Sequence, residues 1–318
     1  MIARKIILIV GSRKDPHVRG VRDDLLCLGA QPIILDRYST SDTLTINPKS
    51  NSIVIEAVEG TVDCRDLTGA WWRLKPMESW NPSIAADQVA REFAAREWTS
   101  TLFSLPFLVD WVKWVNPFPA HITASYKPLQ LKLAHDIGLS IPETIISNSF
   151  NHVCREVTNH RESIYKQLSG FRFPPDQFIF TNKISNADLC GEEESIRRCP
   201  SIFQELIAKK VEWRITVIGD NVFSVRIESQ KFDDTKVDWR RAQLANMYAA
   251  DRLPADLEMR ILDLHKQLGL TYGAYDLIES ITGDAIFLEC NPGGQWAWLE
   301  NATGLPITRS LAAQLLSS

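Results

Sequence analysis

Residues 272–279 read Tyr-Gly-Ala-Tyr-Asp-Leu-Ile-Glu and residues 285–292 read Ala-Ile-Phe-Leu-Glu-Cys-Asn-Pro, two apolar runs each carrying acidic side chains. Both have the make-up of β-strands, and Thr282-Gly283 between them is a two-residue hairpin signal. Pairing residue 281 with 284 sets Asp276 directly opposite Glu289. A four-residue loop gives the same pairing, and an odd loop shifts it by one. Glu289 and Asn291 share a strand face because side chains alternate. Opposed residues hold their Cβ atoms about 5 Å apart, so three oxygen donors meet at one spot. Hard oxygen ligands suit Mg²⁺, which takes a few carboxylates and leaves positions for substrate phosphates. A solvated strand face is the alternative for one carboxylate alone; three donors among apolar neighbours favour a metal site.

Composition bounds the rest. The chain has 318 residues, 45% of them hydrophobic and 23% charged, which describes an ordinary globular protein of two or three domains. Lys+Arg 35 against Asp+Glu 39 leaves a net charge of −4, so no nucleic-acid footprint is expected. Cys27, Cys64, Cys154, Cys190, Cys199 and Cys290 form no CxxC pair and read as reduced thiols. The apolar run near the amino terminus is too short for a secretory segment, and no run reaches membrane-spanning length. A cytoplasmic protein without a membrane partner is the expectation.

The first third alternates strands with helical stretches. Ile6–Val10, Pro32–Leu35, Ser52–Glu56 and the segment around Gly69-Ala-Trp-Trp-Arg73 read as strands. Helices are expected from about Val18 to Leu28 and from Ile84 to about Phe103. This pattern predicts a parallel, Rossmann-like sheet. Gly11-Ser-Arg lacks the GxGxxG fingerprint, so no dinucleotide is assigned. A Pro- and Trp-rich crossing follows over 105–123. Ser125 then caps a helix with Leu129, Leu133 and Ile137 along one face and Gly138 at its end. Residues 160–200 look strand-poor, with a mobile loop around Phe171-Arg-Phe-Pro-Pro, and from Ile202 onward the pattern is antiparallel hairpins. The fold class is therefore α/β, with α+β character in the C-terminal part.

Residues 212–228 alternate strictly. Matching apolar to apolar gives a three-residue Gly219-Asp220-Asn221 loop and sets Arg214 opposite Arg226. Facing like charges destabilise a sheet unless an anion lies between them, and arginine recognises phosphate and carboxylate. An outer face neutralised by Glu212 and Glu228 is the equal alternative. Lys127 in the first turn of its helix opposes the helix dipole and gains from reaching an anion. Lys166 sits at a strand end before the presumed loop. The histidines His17, His121, His135, His152, His160 and His265 show no triad or metal spacing; most read as surface residues, and His265 as structural. Trp296 and Trp298 could serve an acceptor channel or simply pack.

In this order, Lys127, Lys166, Phe203-Gln-Glu-Leu-Ile207, Glu212-Trp-Arg214, Asp276 and Glu289-Cys-Asn291 resemble the ATP-grasp ligase superfamily over about 190 residues. Within it, Ile227-Glu-Ser-Gln230, Asp238-Trp-Arg240, residues 289–300, Thr303-Gly-Leu-Pro-Ile307 and Trp72-Arg73 are most similar to the graspetide (microviridin-type) maturases, which crosslink ribosomal peptides. The resemblance implies an ATP-grasp fold behind a Rossmann-like pre-ATP-grasp domain. Its expected divisions are residues 1–120, a central subdomain 121–200 with the flexible loop, and a C-terminal subdomain 201–318 with the metal site. It implies ATP and Mg²⁺ as cofactors. Lys127 and Lys166 would contact phosphates, while Glu205, Leu206 and Ile207 form the adenine hinge. Glu212 would bind ribose. Asp276, Glu289 and Asn291 would hold Mg²⁺, and Arg214, Arg226 and Arg240 would stabilise the transferred phosphoryl group. The substrate would be a precursor peptide, leader plus core, whose Asp/Glu side chains become acyl phosphates and then intramolecular esters or amides. A ligase joining a free amino acid or small carboxylate to an amine, or a nucleotide-binding protein without turnover, would need fewer of these features. The oligomeric state is left open, a homodimer included.

Overall fold

The computed structural model describes residues 4–36, 39–74, 87–169, 172–173, 177–178, 181–241 and 245–317. The amino-terminal part contains β1 (Ile6–Val10), α1 (Pro16–Cys27), β2 (Gln31–Leu35), β3 (Thr43–Asn47), β4 (Ser52–Ala57), β5 (Gly60–Asp63), β6 (Gly69–Trp72), α2 (Gln88–Leu108) and β7 (Trp114–Val115). Strands β2-β1-β6-β7 form a parallel sheet in that order. Its buried Ile, Leu, Val and Trp side chains on both faces suit a two-sided core. The strand expected at Ser52–Glu56 exists, but it belongs to a separate antiparallel sheet, β3-β4-β5. Near the carboxyl ends of β1 and β2 stands Arg13, whose amide donates to Asp36 (2.8 Å). Its guanidinium bonds Glu59 (2.8 and 2.6 Å), Asp42 (2.8 Å) and the Ile34 carbonyl (2.7 Å).

Two short helices follow, α3 (Phe118–Thr123) and α4 (Lys127–Asp136). Ser125 does not cap α4: its hydroxyl donates to the His121 carbonyl (2.8 Å), finishing α3 instead. Gly138, at φ +80°, terminates α4 as expected. The fully buried face of α4 is Gln130, Leu131 and Ala134, with Leu129, Leu133 and Ile137 half-buried.

The central part has β8 (Thr144–Ser147), α5 (Phe150–Asn159), β9 (Ser163–Lys166), β10 (Arg172–Phe173), β11 (Gln177–Phe178), β12 (Asn182–Ile184), α6 (Glu193–Arg198) and β13 (Ser201–Glu205). Strands β12-β9-β13-β8 form an antiparallel sheet, so residues 160–200 are richer in strands than their polarity suggested. The sheet includes β13, and residues 206–208 join it to the next strand. Of the loop expected around Phe171–Pro175, only Arg172 and Phe173 lie among the described residues, as one arm of the short β10–β11 hairpin.

The remaining elements are β14 (Lys209–Ile218), β15 (Asn221–Ile227), β16 (Tyr248–Ala250), α7 (Ala255–Gln267), β17 (Tyr272–Ser280), β18 (Ala285–Asn291), α8 (Ala297–Thr303) and α9 (Ile307–Leu316). Strands β16-β15-β14-β17-β18 form one antiparallel sheet. One face packs on α4 and α7 through Trp213, Ile215, Val217, Tyr275, Leu277 and Phe287. The carboxyl end returns to the first domain: Ile307, Leu311 and Leu315 of α9 share a core with Val18, Val21 and Leu25 of α1. His17 seals this junction. Its Nδ1 bonds Asp15 (2.6 Å), and its Nε2 accepts from the Trp296 and Ala297 amides (3.0 and 3.1 Å). Contrary to the surface reading, His17 and His121 are buried; His265, read as structural, is buried too.

Candidate active site

The site face of the C-terminal sheet is built by register. Arg214 pairs with Asp276, and Asp276 pairs with Glu289, so the three lie in one row across β14, β17 and β18. Thr216, Ala274 and Asn291 form the next row. The turn that achieves this is not the two-residue one expected. The Ser280 amide donates to the Asp284 carbonyl (2.9 Å) around three residues, with Gly283 at φ +92°. Such an odd loop should misplace Glu289 by one residue. A β-bulge restores it: Asp276 faces Glu289 while Leu277 faces Phe287, leaving Leu288 as the extra residue. Inserting one residue inverts the alternation beyond it, and that turns Glu289 and Asn291 onto the site face.

Around this row a continuous polar network forms. The Arg214 guanidinium, nearly buried, donates to both Asp276 oxygens (2.8 and 2.7 Å) and to the Gln295 carbonyl (3.3 Å). Lys127, from the start of α4, reaches Glu289 Oε2 at 2.9 Å. The Asn291 amide nitrogen lies 3.1 Å from Glu289 Oε1 and 3.4 Å from Asp276 Oδ2. Burial raises the Asp276 carboxyl, Arg214 opposes the rise, and the neighbouring Glu289 charge adds to it, with an upward net direction. Burial also penalises an ionised Glu289, but Lys127 and Arg240 hold it well below the ordinary carboxylate range. The opposite shifts follow from the repulsion between two adjacent carboxylates and from the cations Lys127 and Arg240 beside Glu289. With the Asn291 amide turned so that its oxygen faces the two carboxylates, the three would form a hard, incomplete donor set suited to Mg²⁺ with substrate oxygens completing it. Among the described residues no group of three or more His, Cys, Asp and Glu could hold a metal unaided.

Lys166, at the end of β9, donates to Gln204 Oε1 (2.9 Å). Burial lowers its ammonium to about 8, and the nearby cations Lys127 and Arg240 add to the fall while Glu289 counters it. Arg240, half-exposed, forms a fork with Asp238 (2.8 and 2.7 Å). Burial works against its charge, but Asp238, Glu289 and Asp276 keep it protonated. Glu205, Leu206 and Ile207 join the two sheets and line a cavity of about 330 Å³ with Ser280, Ile281 and Ile286. Glu212 lies buried on the site face, bonded to Lys209 (2.7 Å), and burial raises its carboxyl.

Arg226 is a correction. The β14–β15 turn has two residues, Gly219-Asp220, so Ile218 pairs with Asn221 and Arg226 pairs with Trp213. Directly paired residues share a face, so Arg226 sits on the opposite side of the sheet from Arg214. There it bonds Glu228 (2.8 Å) and Asp251 (3.3 Å). The apolar match failed because Val225 and Ile227 belong to the site face, where they are buried beside Arg214 and Glu212. Trp296 is fully buried, its indole donating to Thr308 (2.9 Å), and Trp298 stacks between Trp239 and Tyr248 at 4.8 Å from each; both are packing residues.

Several contacts were not legible in the sequence. Lys209 reads as a surface lysine yet is buried against Glu212. Arg73 donates to Asp15 (2.8 Å) and to the Gly293 and Gly294 carbonyls (2.8 and 3.0 Å). Tyr272 Oη also donates to the Gly294 carbonyl (2.9 Å). The Gly293-Gly294 segment is thus pinned beside Arg214.

No model of a known protein family matches this chain, and no curated protein sequence does. Solved structures do. A RiPP-associated ATP-grasp ligase of Chryseobacterium gregarium, in complex with ADP and a leader and core peptide, overlays with a TM-score of 0.89. It is 28% identical, over 98% of this chain and 96% of that one. The macrocyclase MdnC of Microcystis aeruginosa MRC, bound with precursor peptide MdnA, gives 0.86 at 26% identity over 98% and 100%. The chain has the ATP-grasp fold and is similar to graspetide-type ATP-grasp ligases. A second macrocyclase, MdnB of the same organism, gives 0.79 at 26% identity over 99% and 100%. D-cycloserine synthetase DcsG, at 0.60 and 15% identity over 98% and 99%, shares only the fold with this chain. Among the described residues no helix is long and apolar enough to cross a membrane.

Proposed function

We propose that this ligase uses ATP to activate Asp/Glu side chains of a ribosomal precursor peptide and closes them into intramolecular ester or amide crosslinks. The observation that carries the proposal is the unbroken row Arg214–Asp276–Glu289, with Lys127 and Asn291 attached, in a chain that overlays peptide macrocyclases along nearly its whole length. Glu205–Ile207 would offer backbone groups to adenine, and Glu212 would accept from ribose. Lys127 and Lys166 would neutralise phosphates. Asp276, Glu289 and Asn291 would hold Mg²⁺, which when bound neutralises charge on the β- and γ-phosphates.

The chemistry follows from what these side chains can do. A peptide carboxylate oxygen attacks the γ-phosphorus, the bond to the bridging oxygen breaks, and ADP leaves. A hydroxyl or amine of the same peptide then attacks the acyl carbon; inorganic phosphate departs and the nucleophile's proton passes to solvent. Arg214 and Arg240 supply fixed, forked donors to the transferred phosphoryl group and the acyl phosphate. Positioning and electrostatic stabilisation are the main demands of such transfers.

The test is ADP release with Mg²⁺ and the precursor peptide encoded beside the gene, followed by mass spectrometry. Peptide-dependent ADP formation and the loss of one water per crosslink are expected. ADP formation with free amino acids and none with peptide would replace this reading by a small-molecule ligase.

A further inference from the structure

Strand β18 lies at the edge of its sheet, and among the described residues no further strand pairs with its outer backbone groups. They are nevertheless held on both shoulders of the Leu288 bulge. On one side the Phe287 amide donates to the Ser140 carbonyl (2.8 Å). On the other, Gln130 Oε1 accepts from the Cys290 amide (2.8 Å), and Gln130 Nε2 donates to the Cys290 carbonyl (2.7 Å) and the Ala124 carbonyl (2.6 Å). Gln130 is 2% exposed. Its side chain thus imitates a neighbouring strand at one residue, and that residue stands between Glu289 and Asn291.

We infer that Gln130 is a positioning residue for the metal-holding strand. The inference rests on the ligase reading above. A bulge is a local irregularity that an edge strand could shift or lose, and slippage by one residue would turn Glu289 and Asn291 away from Asp276. Helix α4 prevents this with two contacts one turn apart: Lys127 touches the Glu289 carboxylate, and Gln130 grips the adjoining backbone. The ammonium alone could follow a wandering carboxylate; a two-point amide clamp on the main chain cannot. Groups that orient metal ligands typically change metal affinity or activity 10- to 100-fold when removed.

The experiment compares Gln130→Leu with the unmodified protein by calorimetry, using MnADP and metal-free ADP as probes. MnADP binding weakened about tenfold or more, with metal-free ADP affinity changed less than about twofold, is the expected result. Equal weakening of both probes would reduce Gln130 to general structural support, and no weakening of either would remove the role entirely. Failure of the unmodified protein to bind either probe would sink the nucleotide reading, and this inference with it. Should Gln130→Leu not fold, selective ¹⁵N-cysteine labelling of the unmodified protein resolves the amide of Cys290 among the six cysteines. Slow hydrogen exchange there supports the clamp, and exchange at an unprotected rate overturns it.

Discussion

Replacing Gly294 by alanine offers a demanding check on the site geometry. A Cβ at Gly294 would stand 2.5 Å from Ala274 Cβ, 3.0 Å from an Arg214 guanidinium nitrogen and 3.2 Å from the Asn291 carbonyl. Carbon atoms in contact prefer about 3.5–4.0 Å, so the segment must retreat by about 1 Å. That retreat pulls the Gly294 carbonyl from Tyr272 and Arg73, and the Gln295 carbonyl from Arg214. Overpacking of this kind costs about 1–3 kcal/mol, a melting temperature lower by a few degrees. Displacing positioning groups by about 1 Å costs about 100-fold in turnover. Gly293→Ala is the control: its Cβ meets only His121, at 3.5 Å, an ordinary contact. Thermal unfolding and peptide-dependent ADP release should therefore separate the two variants. Equal behaviour of the pair, or an unimpaired Gly294→Ala enzyme, would refute the close-approach argument.

Glu289→Gln should abolish ADP release while circular dichroism stays unchanged; retained turnover would contradict the metal assignment. Arg226→Ala should keep turnover within about twofold, since its half-exposed pairs contribute at most about 1 kcal/mol; a large loss would return Arg226 to the active site. Arg240→Lys should slow catalysis because the fork geometry is lost, and near-normal rates would show Arg240 to be peripheral. Burial lowers His265 to about 4, against an ordinary 6.5. The unfolded chain therefore takes up a proton in that interval that the folded ring refuses. The His265 contribution is full above pH 6.5 and is lost as pH falls toward 4, by up to about 3 kcal/mol. Urea unfolding across that range should show a shallower slope for His265→Gln than for the unmodified protein; equal slopes would refute it.

Strand identities were legible wherever apolar character and turn chemistry coincided, as at β1, β6, β17 and β18. The Asp276–Glu289 pairing came out as expected, yet by another route: an odd loop and a bulge cancel, and no residue type between 280 and 288 announces the bulge. The β14–β15 register failed for a physical reason. Val225 and Ile227 are apolar residues on the same face as charged ones, because the site floor is itself a buried surface. Gln130 and Lys209 were invisible because polarity normally marks exposure, whereas Gln130 is buried against Cys290, remote in sequence, and the Lys209 side chain against Glu212 of its own strand. Ser125 had the right chemistry for a helix start and served the preceding helix instead.

The most direct measurement is anomalous diffraction from crystals grown with ADP and Mn²⁺. A manganese peak at coordination distance from Asp276, Glu289 and Asn291, with the nucleotide phosphates beside Lys127 and Lys166, is the expected result. A bound nucleotide whose metal lies away from the β17–β18 pair would contradict the account.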